Sequence, residues 1–152
     1  MSSQIPLGPA PLVGRVVAQH RGRYVVRTSA GDRDAVLSGR FRHQAGSAED
    51  LPAVGDWVEI TGDDAVVAQI RSVQPRRGAF RRKVAGTASD VQIVAANVDL
   101  AIVVAALPHD VNVRRIERYL TLAWESGAVP IVALTKADLV DDAEPSVAAV
   151  RL

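Results

Sequence analysis

Cysteine is absent from the 152 residues, which excludes a disulfide scaffold, a cysteine-ligated zinc site and a thiol nucleophile. Histidine occurs three times, at His20, His43 and His109. These are widely separated, so no metal site is expected, and all three read as surface residues. Lysine is almost absent as well. Only Lys83 and Lys136 are lysine, so 16 of the 18 basic residues are arginine. There is no long hydrophobic run either. The longest charge-free apolar stretch, Leu100 to Leu107, stops at Pro108, far short of the ~20 residues that span a bilayer. No basic residue precedes Arg15 and no apolar segment follows Met1, so the pattern of a secretory signal is missing. The expectation is a cytoplasmic protein with no membrane partner.

What is present is an ordinary globular composition, 48% hydrophobic and 23% charged, which rules out wholesale disorder. A chain this long can bury a sizeable core. The net charge of +1 conceals an asymmetry. Residues 1–83 carry 13 Lys/Arg against 8 Asp/Glu, and residues 84–152 carry 5 against 9. A basic half followed by an acidic half points to a polyanionic partner for the first and other work for the second.

Residues 1–11 are rich in Pro, Gly and Ser and read as a tail. From Leu12 the pattern is short Val-rich runs: Leu12–Gln19, Arg23–Thr28, Asp34–Leu37, Trp57–Thr61 and Ala65–Val73. Gly22, Gly31-Asp32 and Gly62-Asp63 stand at the turns between them. Five strands in about 60 residues predict a small barrel over 12–75, since an open sheet of that size leaves raw edges. An OB-like barrel fits best, with an SH3-like barrel as the competitor. The connection Ser38–Gly55 is long for a compact domain, which marks a functional or mobile loop.

Residues 76–92 read as a basic linker. Arg76, Arg77, Arg81, Arg82 and Lys83 place five positive charges in eight residues, with Phe80 among them. Arg40-Phe41-Arg42 repeats the interleaving of charge and aromatic, which suits phosphate contact with base stacking. A merely solvated arginine-rich surface is the plainer alternative. Trp57 either stacks on RNA or covers the linker.

From residue 93 the texture is strand, helix, strand, helix, the pattern of a parallel α/β unit. The run Val98–Leu107 predicts a strand buried on both faces. Asp110 or Asn112 caps a helix reaching about Ser126, with Val113, Ile116, Leu120 and Ala123 on its apolar stripe. Val129–Leu134 predicts a second strand, and a further helix starts near Asp142–Pro145. Two strands do not complete a doubly wound sheet. The fold class expected is therefore β plus α/β: an OB-like barrel over 12–75 followed by an incomplete parallel α/β domain over 93–152.

After the second strand stands Thr135-Lys136-Ala137-Asp138. Open α/β sheets bind ligands at the carboxyl ends of their strands. An Asp there can accept from the N1–H and N2 amino group of guanine, a pair adenine does not offer, while the lysine stem lies along the base. The plain alternative is a solvated loop in which Asp138 caps a turn. Asn97 and Asp99 either fix the turn into this half or are ordinary polar residues flanking a strand.

The run Thr135-Lys136-Ala137-Asp138-Leu139 resembles the N/T-K-x-D guanine motif of GTPases. Taken with the basic barrel, Arg76-Arg77 through Arg81-Arg82-Lys83, Ala96-Asn97-Val98-Asp99 and Arg118-Tyr119-Leu120, the chain from Val13 onward resembles the ribosome small-subunit-dependent GTPase A family. That resemblance implies an N-terminal OB-fold and a circularly permuted P-loop GTPase domain. It also implies late maturation of the small ribosomal subunit, with that subunit and its 16S rRNA as partners and a monomeric state. The guanine site would be Thr135, Lys136, Ala137 and Asp138, and the RNA-binding residues Arg40, Arg42, Arg76, Arg77, Arg81, Arg82 and Lys83. GTP or GDP is the implied ligand. Mg²⁺ and a structural Zn²⁺ are implied only for a C-terminal part of the family pattern.

The departures are specific. A phosphate loop needs G-x-x-x-x-G-K-[ST], but Lys83 precedes Val84 and Lys136 precedes Ala137. The D-x-x-G switch motif is missing, and Thr135 stands where Asn is commoner. The sequence thus reads as the front part of a longer protein, with no catalytic residue of its own. A nucleic-acid-binding OB module without nucleotide function is the alternative reading.

Overall fold

A computed structural model of the chain describes residues 11–62, 67–83 and 91–151. The turn residue Asp63, the start of the fifth expected strand at Ala65, and the tail expected over 1–11 (apart from Pro11) lie outside the described residues. The chain forms two compact units, residues 1–96 and 97–152.

In the first unit, strands β1 (Leu12–His20), β2 (Arg23–Thr28), β3 (Gly31–Leu37), β4 (Trp57–Thr61) and β5 (Ala68–Val73) close a barrel in the order β1-β2-β3-β5-β4. Closure pairs every edge, which a small sheet needs. Alternation along each strand supplies the core: Val16, Tyr24, Val26, Ala35, Val58, Ile60, Ala68 and Ile70 point inward and are buried. The β3–β5 pair is parallel and the other four are antiparallel. The β1–β2 turn is two residues, Arg21 and Gly22, both at positive φ (46° and 78°), the conformation a tight hairpin requires.

The long connection after β3 is ordered rather than loose. It holds helix α1 (Gly39–Gln44) and a 3₁₀ turn over Ala48–Asp50. Ser38 caps α1 by accepting from the Phe41 N–H at 3.2 Å, and Phe41 packs against the barrel core. Asp50 Oδ2 accepts from the N–H groups of Gly46 (2.9 Å) and Ser47 (2.8 Å) and from the Ser47 hydroxyl (3.1 Å).

Asp56 is the tightest point. Its side chain is wholly buried and is held by Arg76, whose side chain is only 18% exposed. Arg76 Nε donates to Oδ1 at 2.8 Å and Nη2 to Oδ2 at 2.7 Å. The same guanidinium donates to the carbonyls of Glu49 (2.6 Å) and Leu51 (2.9 Å). Oδ2 also accepts from the Ala53 N–H at 2.8 Å. A bidentate arginine is the partner best matched to a buried carboxylate.

The segment expected as linker is in part a β-ribbon. Strand β6 (Ala79–Lys83) pairs antiparallel with β7 (Val91–Ala96), and Ala79, Ile93 and Ala96 bury against Ala53. The Ala96 N–H donates to the Val54 carbonyl at 2.8 Å. Gly55 lies here at φ 94°, and a Cβ on it would stand 2.0 Å from the Ala96 carbonyl oxygen. Only glycine permits both the conformation and the approach.

The second unit contains β8 (Leu100–Ala106), α2 (Val113–Glu125), β9 (Val129–Thr135) and α3 (Glu144–Val150), with β8 and β9 parallel. Asn112, rather than Asp110, caps α2 by accepting from the Arg115 N–H at 3.0 Å. Val103 and Ala105 of β8, Val132 and Leu134 of β9, Ile116 and Leu120 of α2, and Val150 of α3 form one core. Both helices therefore cover the same face. The expectation that β8 is buried on both faces is corrected: Leu100, Ile102 and Val104, with Val129 and Ile131 beside them, are exposed. No helix among the described residues is long and apolar enough to cross a membrane.

Removing either partner of the Asp56–Arg76 pair strands the other in a desolvated site, a loss of about 3–5 kcal/mol. Asp56→Ala and Arg76→Met should each lower the urea midpoint by that equivalent. A loss below ~1 kcal/mol in both would show that the pair is not holding the unit together.

Candidate functional site

Thr135 is the last residue of β9, so the sequence motif sits at the carboxyl end of a parallel strand. The Leu107 N–H donates to the Thr135 carbonyl at 2.9 Å, and the Thr135 hydroxyl reaches the Ala105 carbonyl at 3.4 Å. Lys136 adopts the left-handed conformation (φ 59°, ψ 40°), which a non-glycine residue holds only where its surroundings impose it. That reversal starts the 3₁₀ turn Ala137–Leu139, in which the Leu139 N–H donates to the Lys136 carbonyl at 3.1 Å. Backbone geometry thus turns the chain sharply between the strand and Asp138.

Asp138 is exposed and accepts no hydrogen bond among the described residues. Asp142 instead receives the N–H at the start of α3, from Glu144 at 2.9 Å. The alternative in which Asp138 caps a turn therefore has no hydrogen bond to support it. Close to the motif, Asp110 is paired to Arg115, which also reaches the Asp110 carbonyl. Hydrogen bonding to Arg115 first, and its charge second, hold the Asp110 carboxyl below the usual carboxylate range, and Lys136 adds to this. The pair's small contribution is present above ~pH 4 and is lost as pH falls through the lowered value.

The basic residues fall into separate settings. Arg40 and Arg42 flank Phe41 on α1 and are exposed. Burial pushes the Tyr24 hydroxyl above its ordinary range, and the charge of Arg42 draws it partly back. Arg76 is not available to a phosphate, because four of its five N–H bonds end on Asp56 and two backbone carbonyls. This removes it from the expected RNA-binding set. Arg77 is exposed at the start of the ribbon. Arg81 pairs with Glu49 at 3.1 Å, and Arg82 reaches Gln92 at 3.5 Å. Strand alternation puts Arg82 on one face of the ribbon and Arg81 and Lys83 on the other. Trp57 is 43% exposed, with the Arg15 guanidinium 5.9 Å from its ring centre. Asn97, the first residue of the second unit, is buried and left-handed (φ 53°), a conformation asparagine tolerates.

Glu49 and Asp56 carry much of the geometry and were not singled out in the sequence. Nothing in spacing links them to Arg81 and Arg76, which follow 32 and 20 residues later. No three His, Cys, Asp or Glu side chains are grouped among the described residues so as to hold a metal ion.

The family model for the RsgA GTPase matches residues 73–151. The chain belongs to the RsgA GTPase family. A relative from Oceanobacillus iheyensis named small ribosomal subunit biogenesis GTPase RsgA 1 is 45% identical over 136 residues, covering 89% of this chain and 39% of the relative. The protein of the same activity name, RsgA 2, from Lactiplantibacillus plantarum is 44% identical over 131 residues, 86% of this chain and 37% of that one. This chain thus spans somewhat over a third of the length of the curated relatives it matches. Among solved structures, YjeQ from Thermotoga maritima superposes with a TM-score of 0.70 at 26% identity, covering 91% of this chain and 46% of that one. YloQ, described as a circularly permuted GTPase, superposes at 0.64 over 98% of this chain and 48% of its own, with 19% identity.

The left-handed turn at Lys136 is testable by substitution. Lys136→Gly relieves the backbone and should leave stability unchanged or slightly raised. Lys136→Val should lower it by about 1–2 kcal/mol, read from urea unfolding. Equal stability of the two variants would mean that the turn is not held left-handed in solution.

Proposed function

We propose that this chain is the rRNA-contacting and guanine-recognising portion of a GTPase that acts in late maturation of the small ribosomal subunit in the cytoplasm. The observation that carries this reading is the bare carboxylate of Asp138, placed by a left-handed Lys136 at the carboxyl end of β9. In that role Asp138 accepts from guanine N1–H and the N2 amino group. Lys136 lies along the base, and Thr135 and Ala137 set the turn. The monomer is the working form. Arg40, Arg42, Arg77, Arg81, Arg82 and Lys83 meet the phosphates of 16S rRNA.

The phosphate loop that clamps the nucleotide's phosphates is not encoded in these residues, and that clamp supplies most of catalysis in such enzymes. Incubated with GTP and small subunits, this chain should release phosphate no faster than background. Release that follows the pure chain would overturn that expectation.

The guanine assignment is tested in a protein carrying this segment together with a phosphate loop. Asp138→Asn exchanges one acceptor for a donor, which opposes the guanine amino group and suits the 2-oxo group of xanthine. Each lost or opposed hydrogen bond is worth about 1–3 kcal/mol, or roughly 5- to 150-fold in affinity. Competition between GDP and XDP should therefore swing toward XDP. A variant that keeps its GDP preference would return Asp138 to the role of a solvated loop residue.

For RNA, each phosphate contact on a single strand contributes about −0.7 to the log–log salt slope. Neutralising Arg77, Arg81, Arg82 and Lys83 together should flatten the slope, by at most about 2.8 if all four meet phosphates. Arg76→Gln should act on stability and not on the slope. An unchanged slope in the fourfold variant would place the contacts elsewhere.

A further inference from the structure

Beside the barrel lies a groove of about 510 Å³, walled by α1 on one side and by the end of β5 and the residues after it on the other. Phe41 and Gln44 are three residues apart on α1, so both present to the same side, and both line the groove. Opposite them stand Arg71 and Gln74. The side-chain amides of Gln44 and Gln74 make no hydrogen bond among the described residues. Arg71 uses Nε on the Thr61 hydroxyl at 2.9 Å, and its two Nη groups reach no acceptor among the described residues. The two carboxylates at the rim are already engaged, Glu49 by Arg81 and Asp50 by the Gly46–Ser47 backbone. Arg40 and Arg42, next to Phe41 in the chain, are exposed.

We propose that this groove binds one unstacked nucleotide of a single-stranded RNA segment, with its base against Phe41, its edge read by the Gln44 and Gln74 amides, and a phosphate on Arg71. This rests on the RNA-binding reading above and gives it a specific seat. The chemistry fits a nucleotide. Sequence-selective RNA recognition splays bases out against aromatic rings and hydrogen-bonds their edges, and an amide offers both a donor and an acceptor for that purpose. The cations on α1 carry the phosphate track past the groove. A folded duplex has no unstacked base to offer and is excluded from the groove by that requirement.

The test uses the full chain and a pool of 12-nucleotide single-stranded RNAs carrying 5-iodouridine, which cross-links to aromatic side chains on irradiation. The expected cross-link maps to Phe41. Gln44→Ala/Gln74→Ala, which removes two groove-lining amides and no charge, should weaken binding about 10-fold with the salt slope unchanged. Cross-links confined to the β6–β7 ribbon or to Trp57, or an unchanged affinity in the double variant, would overturn the groove while leaving RNA binding intact. If the wild-type chain binds none of these RNAs, the RNA-binding reading fails and the groove proposal fails with it.

Discussion

A carboxylate taken wholly out of water is tolerated only if its charge and lone pairs are met on the spot, and the first unit of this chain is organised around one such group. Asp56 sits just before β4, and both of its oxygens face Arg76. Because Arg76 also binds the carbonyls of Glu49 and Leu51, one guanidinium joins the end of the α1–β4 connection, the entry to β4 and the exit from β5. The stretch Pro52–Asp56 is thereby fixed, and the β6–β7 ribbon packs on that stretch through Ala53 and the close approach at Gly55. The groove beside α1 shares Arg76 as part of its wall. A pair of this kind is not strongly stabilising in itself, since desolvation offsets much of its attraction. What it supplies is a penalty against every arrangement in which the three segments part.

The second unit is organised differently. The loop after β9 is positioned by the parallel ladder with β8, by the Leu107–Thr135 backbone bond and by a left-handed residue. Asp138 remains unbonded among the described residues, whereas both oxygens of Asp56 are spent on the fold. A carboxylate already satisfied by backbone N–H groups, such as Asp50, has less capacity left for a partner. The Thr135 hydroxyl, turned to the Ala105 carbonyl at 3.4 Å, ties the loop to its own sheet, which shows what a hydroxyl does where an amide is commoner.

The barrel strands and the α2 helix were legible because their signals are local. Alternation in Val- and Ile-rich runs marks inward positions, and Asn112 opens a stripe of period 3.6 that reaches about Ser126. The T-K-x-D loop was legible because its residue types and its place after an apolar strand lie together in sequence. Three things were not legible. A continuous apolar run such as Leu100–Leu107 does not reveal whether one face or two will be covered, and here the helices share a single face. The ribbon was hidden because Arg81, Arg82 and Lys83 read as a charged connection, while the Ala79–Ile93 contact that pins it involves small and distant residues. Arg76 was hidden because its partner lies 20 residues upstream, and a cation's type does not show whether its donors are already used.

The fate of the five clustered cations shows why charge counted along a chain overstates contact while still describing the field. Pairing with Asp56 and Glu49 occupies two of them, and strand alternation sends Arg82 to the opposite face from Lys83. The number that can meet one stretch of phosphates is therefore smaller than five. The long-range potential depends on total charge within a Debye length of ~8–10 Å, and residues 1–83 keep their excess of basic over acidic side chains however those are oriented. Attraction of a polyanion to this half and the contacts formed on arrival are thus set by different features. The first is set by composition, and it survives most single substitutions. The second is set by which donors the fold leaves unspent.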